Sequence, residues 1–184
     1  MRRLGEIPAS PENAEAALAK GAALLVYPGG AHETFRPWSD RNLIDFGGHS
    51  GFVKLALRSR VPVVPVVGHG GHESTVVLWR GEWIARQLGL GRLRMNVWPL
   101  AWQVPWGIST PLLPGLPLPA KITVEVGEPI DWSRLGPQAA DDPETVARCY
   151  DEITGVMQAT LSRLAAERPY PLLERAKGLL PRLW

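Results

Sequence analysis

The sequence predicts an α/β fold, a mixed and largely parallel sheet flanked by helices. Three stretches carry that expectation. "SPENAEAALAKGAALLVYP" runs a capped helix into a short apolar strand, "GFVKLALRSRVPVVPVVGHGG" repeats the pattern, and a long apolar stripe at helical spacing closes the chain. A helix linking two continuously apolar runs is the mark of a crossover unit with buried parallel strands.

The elements follow in order. Ser10 before Pro11 and Glu12 reads as an N-cap, a first-position proline and early acidic charge, opening a helix to about Lys20 that Gly21 stops. "AALLVYP" is too short and too evenly apolar for an amphipathic helix and reads as a buried strand. From Gly51, Phe52, Leu55, Ala56 and Ser59 share one helical face, and "VPVVPVVGHGG" follows as a second buried strand. Pro62 and Pro65 lack the N–H a central ladder needs, which confines them to strand ends, bulges or an edge.

"GEWIARQLGLGRLRM" places Ile84, Leu88 and Met95 near helical register, with Arg86, Arg92 and Arg94 elsewhere and Gly89 and Gly91 weakening it, and so predicts a broken amphipathic helix. "NVWPLAWQVPWGISTPLLPGLPLPA" carries too many prolines for helix or central strand and reads as an ordered apolar loop. "KITVEVGEPIDW" alternates as a half-buried strand does. A last helix is expected from about Asp142, with Pro143 first, to about Arg168, its core stripe being Val146, Tyr150, Ile153, Met157, Leu161 and Leu164. Cys149, beside that stripe, reads as a small buried residue.

A chain of 184 residues suits one sizeable domain, expected over residues 1–168, with an amphipathic tail, "YPLLERAKGLLPRLW", within 169–184. The single cysteine excludes an internal disulfide and favours a reducing compartment. A net charge of +2 argues against a nucleic-acid-binding surface. No run reaches the ~20 apolar residues of a membrane span, so membrane contact is expected from the surface only. Five of the eight tryptophans (Trp79, Trp83, Trp98, Trp102, Trp106) crowd one apolar, proline-rich stretch, and indole favours places with one apolar and one wet side. Interfacial contact and a core with a solvated arginine face explain that stretch about equally well.

"LLVYPGGAHETFRP" raises the central question, whether Gly29 and Gly30 let the backbone approach an anion or oxygen, or simply turn the chain. By its glycines alone the plain turn is the simpler reading, and His32, Glu33 and Arg36 just after it favour a site. "GGHSGF" misses the Gly-x-Ser-x-Gly nucleophile elbow because Phe52 stands where glycine is required, leaving Ser50 as a helix cap. "HGGHE" offers His69, His72 and Glu73 to a metal, but neither zinc-protease spacing is present, and no metal site is expected.

Taken together, "LGEIPAS", "LLVYPGGAHE", "GFVKLAL", "VPVVPV" and "VGEPIDW" resemble the glycerolipid acyltransferases, in the branch similar to diacylglycerol and monoacylglycerol acyltransferases. The five fragments stand in family order from about Leu4 to Leu164. The resemblance implies transfer of a fatty acyl group from a thioester, acyl-CoA or acyl carrier protein, to a hydroxyl of a glycerolipid-like acceptor, with no bound cofactor. It implies a cytoplasmic protein peripheral on the inner face of the membrane. The glycine turn would help hold the acceptor, and the expected substrate-binding residues are Pro28, Gly29, Gly30, His32, Glu33 and Arg36. The "PGG" form resembles members whose acceptor is neutral or carbohydrate-bearing rather than glycerol phosphate, and Glu73 resembles an acid found after the second strand.

The family's base is a His-x-x-x-x-Asp motif, in which the aspartate orients and charge-stabilises the imidazole. Five residues after His32, His49, His69 and His72 stand Pro37, Lys54, Ser74 and Val77, so no catalytic residue is expected by motif. The fragments begin where the family's second block would lie, and the expectation is an incomplete, N-terminally truncated acyltransferase domain. The alternative is a non-catalytic lipid-binding or interaction module that kept the fold. The sequence leaves the oligomeric state open.

Overall fold

The computed structural model describes residues 8, 10–89, 91, 97–110, 113 and 115–168. They fall into two compact units. The first comprises Met1–Pro28, Gly48–Pro65 and Gly127–Gly155, the second Gly29–Gly47, Val66–Val126 and Val156–Trp184.

In the first unit, α1 (Pro11–Ala19) begins as expected: Ser10 Oγ accepts from the Asn13 amide at 3.3 Å, Pro11 takes the first turn, and Gly21 at φ +77° ends the segment. α3 (Gly51–Ser59) packs on α1 and on a 3₁₀ turn over Pro137–Asp141. Its buried face is Val53, Ala56 and Leu57, one step round from the predicted Phe52–Leu55–Ala56–Ser59 stripe. Phe52 instead lies half-buried, its ring 6.3 Å from that of Tyr150 on α5 (Pro143–Glu167). Asp142 caps α5, accepting from the Thr145 amide at 3.1 Å and the Glu144 amide at 3.4 Å. Val146, Cys149 and Ile153 form its buried face in this unit, with Cys149 only 1% exposed.

"AALLVYP" does not form a strand. Leu25 is 72% and Tyr27 75% exposed, and no described strand pairs with the run. A strand exists only as one side of a ladder, and apolar sequence alone does not supply the other side.

The second unit holds both sheets. β1 (Val66–His69) pairs antiparallel with β5 (Thr123–Val126), Val66 opposite Val126 and His69 opposite Thr123. β2 (Val76–Trp79), β3 (Leu100–Gln103) and β4 (Gly107–Ser109) form a three-stranded antiparallel sheet in that order. The class is mixed α/β, but among the described residues the strand ladders are antiparallel, not largely parallel. The expected partner strand, residues 22–27, is absent as a strand, and β1 pairs with β5 instead. β1 starts immediately after Pro65, where the missing N–H does no harm.

The proline-rich stretch also departs from its predicted loop. β3 and β4 lie within it because Pro99 precedes β3 and Pro105 sits in the connection, so neither interrupts a ladder. The predicted helix after Gly81 is short, α4 (Glu82–Gln87), and Gly89 at φ +64° follows it. Met95, Arg92 and Arg94 lie outside the described residues, as does the 169–184 tail.

The C-terminal half of α5 packs on the β1–β5 pair, where Val67, Leu161 and Leu164 form a buried cluster flanked by Ile44 and Met157. Gln158 fixes the 42–44 segment, accepting from the Ile44 amide at 2.8 Å and donating to the Asn42 carbonyl at 2.9 Å. These two bonds fix the backbone that leads into Asp45.

Candidate functional site

The polar residues after the glycine turn gather in the second unit. Gly29 and Gly30 open α2 (Gly30–Thr34), and the two are glycines for different reasons. A Cβ on Gly29 would lie 2.5 Å from Glu33 Cβ and 2.9 Å from its Oε2, closer than packed atoms come. Gly30 has open space around it but adopts φ +49°, a left-handed conformation that L side chains disfavour. Of the six residues singled out by sequence, Pro28 belongs to the first unit and the other five to the second.

His32 and Arg36 both meet a fourth residue, Asp45, and Glu33 joins them through Arg36. His32 Nε2 lies 2.7 Å from Asp45 Oδ2, and the other carboxylate oxygen accepts from the Gly47 amide at 2.8 Å. The imidazole hydrogen bond first, and the Gly47 amide second, hold the Asp45 carboxyl below its usual range. The pair is partly open to solvent, with 28% of the His32 side chain and 48% of the Asp45 side chain exposed. His32 thus has an acid, one that the five-residue spacing of the sequence motif could not reveal.

Arg36 is 2% exposed and ties the loop together. Its guanidinium donates to the Leu43 carbonyl and, at 3.4 Å, to the Asp45 carbonyl, and sits 3.9 Å from Glu33 Oε1. Burial lowers its pKa, while Glu33 and Asp45 oppose that shift. Arg80 is near enough to act on both Arg36 and Asp45. It also lines a cavity of about 280 Å³ with Pro37, Trp79, Glu82, Trp83 and Arg86. The Trp79 and Trp83 rings there are 6.1 Å apart.

The "HGGHE" residues spread to separate tasks. His69 is buried on β1, His72 Nε2 donates to the Glu33 carbonyl at 3.1 Å, and Glu73 Oε1 sits 3.5 Å from Arg41 Nε. Burial lowers the pKa of both His69 and His72, so both favour the neutral form. Among the described residues no group of three His, Cys, Asp or Glu could hold a metal ion, and no helix is long and apolar enough to cross a membrane. Ser50 sits at the start of α3 without a side-chain cap bond, its carbonyl accepting from the Val53 and Lys54 amides.

Sequence reasoning missed Asp45. A signal was present in "IDFGG": an aspartate two residues before a glycine is a common turn in which the carboxylate accepts from the glycine amide, as Asp45 does from Gly47. That geometry fixes the carboxylate and leaves its second oxygen for a partner.

The profile of the diacylglycerol acyltransferase family matches residues 1–154. An uncharacterized protein of Mycobacterium tuberculosis (strain H37Rv) is 32% identical over 173 residues, 91% of this chain and 44% of the relative. An uncharacterized Mycobacterium leprae protein is 32% identical over 174 residues, with the same two shares. Diacylglycerol O-acyltransferase 2 of Homo sapiens is 27% identical over 160 residues, 80% of this chain and 39% of that protein. The chain therefore spans less than half the length of these curated relatives. No solved structure matches it.

Proposed function

We propose that this chain, which belongs to the diacylglycerol acyltransferase family, holds a hydroxyl-bearing glycerolipid such as diacylglycerol for acylation by a thioester donor. The donor is acyl-CoA or acyl carrier protein. The observation that supports the reading most is the packed glycine turn leading into His32, Glu33 and a buried Arg36. A hydroxyl and ester carbonyls need a few convergent polar groups beside apolar surface, and the segment from Gly29 to Arg36 offers them.

The "PGG" turn favours a neutral acceptor, and with it the diacylglycerol- and monoacylglycerol-type branch. The chain works at the cytoplasmic membrane surface, where the exposed Trp79, Trp83, Trp102 and Trp106 face lipid headgroups. A second reading, a lipid-binding module without chemistry, is favoured by the absence of a His-x-x-x-x-Asp motif from these 184 residues.

Binding tests the reading directly. The purified chain is expected to retain diacylglycerol presented in mixed micelles and to co-sediment with anionic vesicles at low salt. Arg36→Met is expected to weaken diacylglycerol retention at least tenfold. Absence of diacylglycerol binding by the folded chain refutes the acceptor-holding role, and absence from the vesicle pellet refutes the membrane role. Binding without acyl turnover favours the module.

A further inference from the structure

We infer that His32 and Asp45 form a proton-transfer dyad that serves as this chain's own general base toward the acceptor hydroxyl, an inference that rests on the acceptor-holding role of the same turn. Three observations carry it. His32 Nε2 and Asp45 Oδ2 are 2.7 Å apart. Asp45 is itself fixed, its Oδ1 taken by the Gly47 amide at 2.8 Å and its backbone carbonyl by Arg36 at 3.4 Å. The ring sits on α2, two residues past Gly30, and keeps 28% of its side-chain surface in solvent.

The tautomer follows from the partners. An ionised carboxylate only accepts hydrogen bonds, so the proton of the neutral imidazole resides on Nε2. Nδ1 then carries a lone pair, and among the described residues the ring's hydrogen bond is made through Nε2. A base, an orienting acid and a rigid turn behind the acid complete the arrangement that nucleophile activation requires.

The step balances without a further reactant. The acceptor hydroxyl gives its proton to His32 Nδ1 as its oxygen bonds to the thioester carbonyl carbon. Asp45 stabilises the imidazolium so formed. When the carbon–sulfur bond breaks, the leaving thiolate takes that proton back, and the ester and free thiol depart. His32 is the catalytic residue of this scheme, and Asp45 is a positioning residue acting through it.

The test uses the purified 184-residue chain in mixed micelles of diacylglycerol with an acyl-CoA donor. His32→Gln is expected to lower kcat about 100-fold or more at unchanged KM, the usual contribution of a general base. Asp45→Asn is expected to lower kcat at least tenfold, His49→Gln to stay within twofold, and added imidazole to restore part of the turnover of His32→Ala. In ¹⁵N-resolved spectra His32 is expected to be the Nε2–H tautomer, and Asp45→Asn to remove that preference. Several results overturn the dyad: turnover of His32→Gln within threefold of the parent, a His32 protonated at Nδ1, or no turnover by a folded chain that binds diacylglycerol. In that last case the acceptor-holding reading stands, whereas failure to bind diacylglycerol removes that reading instead.

Discussion

Gly29→Ala isolates the packing requirement of the turn from its conformational one. The added methyl would sit 2.5 Å from Glu33 Cβ and 2.9 Å from its Oε2, so the first turn of α2 must shift, whereas the Phe46 Cα at 3.4 Å is an ordinary contact. Overpacking of this kind costs about 1–3 kcal/mol. Gly30→Ala meets nothing within 4 Å and incurs only the left-handed backbone cost of about 1–2 kcal/mol, partly offset by a less flexible unfolded chain. The decisive comparison is a double-mutant cycle. Because the clash is with Glu33 Cβ, the cost of Gly29→Ala should fall below about 1 kcal/mol in a Glu33→Gly background. Urea unfolding at constant m-value reads each difference, and each kcal/mol is worth about 2–4 °C in Tm for a chain of this length. Equal costs of Gly29→Ala in the two backgrounds would refute the assignment of the clash, and with it the claim that Gly29 exists to let Glu33 approach.

Two predictions concern pH. Burial lowers the pKa of His72 and His69 below the ordinary value of 6.5, so the folded chain takes up fewer protons than the unfolded one as pH falls through that value. Their contribution is therefore present above about pH 6.5 and lost below it: urea midpoints should fall from pH 8 to 5, less steeply in His72→Gln, and parallel slopes contradict the account. Asp45 behaves as a depressed carboxyl, its stabilisation present above the ordinary value of 3.8 and lost as pH drops through the lower folded value. The stability advantage of the parent over Asp45→Asn should thus be constant near pH 5 and shrink toward pH 2, and an advantage independent of pH rules out the ionised carboxylate as its source.

How legible all this was depended on how local the signal is. The caps of α1 and α5 were readable because Ser10 and Asp142 accept from amides within a turn of themselves and Pro11 and Pro143 stand at the first helical position. The α5 stripe was readable because Val146, Ile153, Leu161 and Leu164 repeat over a long helix that leaves one solution for the core face. Strand partnership was not. Residues 22–27 and 61–67 look alike as apolar runs, yet only the latter enters a described ladder, through Val66 and Val67, and pairing is a property of two distant segments. The number of prolines in 99–109 argues against strands, but their positions decide the outcome: Pro99 precedes β3 and Pro105 lies between β3 and β4, where neither interrupts a ladder.

In the site, the glycine turn and its polar followers were visible as a cluster in one short stretch. The His32–Asp45 contact was not, since a motif search fixes the sequence spacing of base and acid, whereas the loop that Arg36 and Gln158 pin lets the acid return 13 residues later. The absence of a five-residue motif is a statement about spacing along the sequence, and the 2.7 Å contact between His32 and Asp45 is one that the fold makes.

The buried Cys149 gives the molecule an internal clock. It is the sole thiol, 1% exposed on the core face of α5, and burial raises its pKa, so the reactive thiolate is scarce while the helix is seated. Alkylation must wait for that helix face to open, and under fast reclosing the labelling rate reports the opening equilibrium of α5 in the native protein, without denaturant and without an engineered probe.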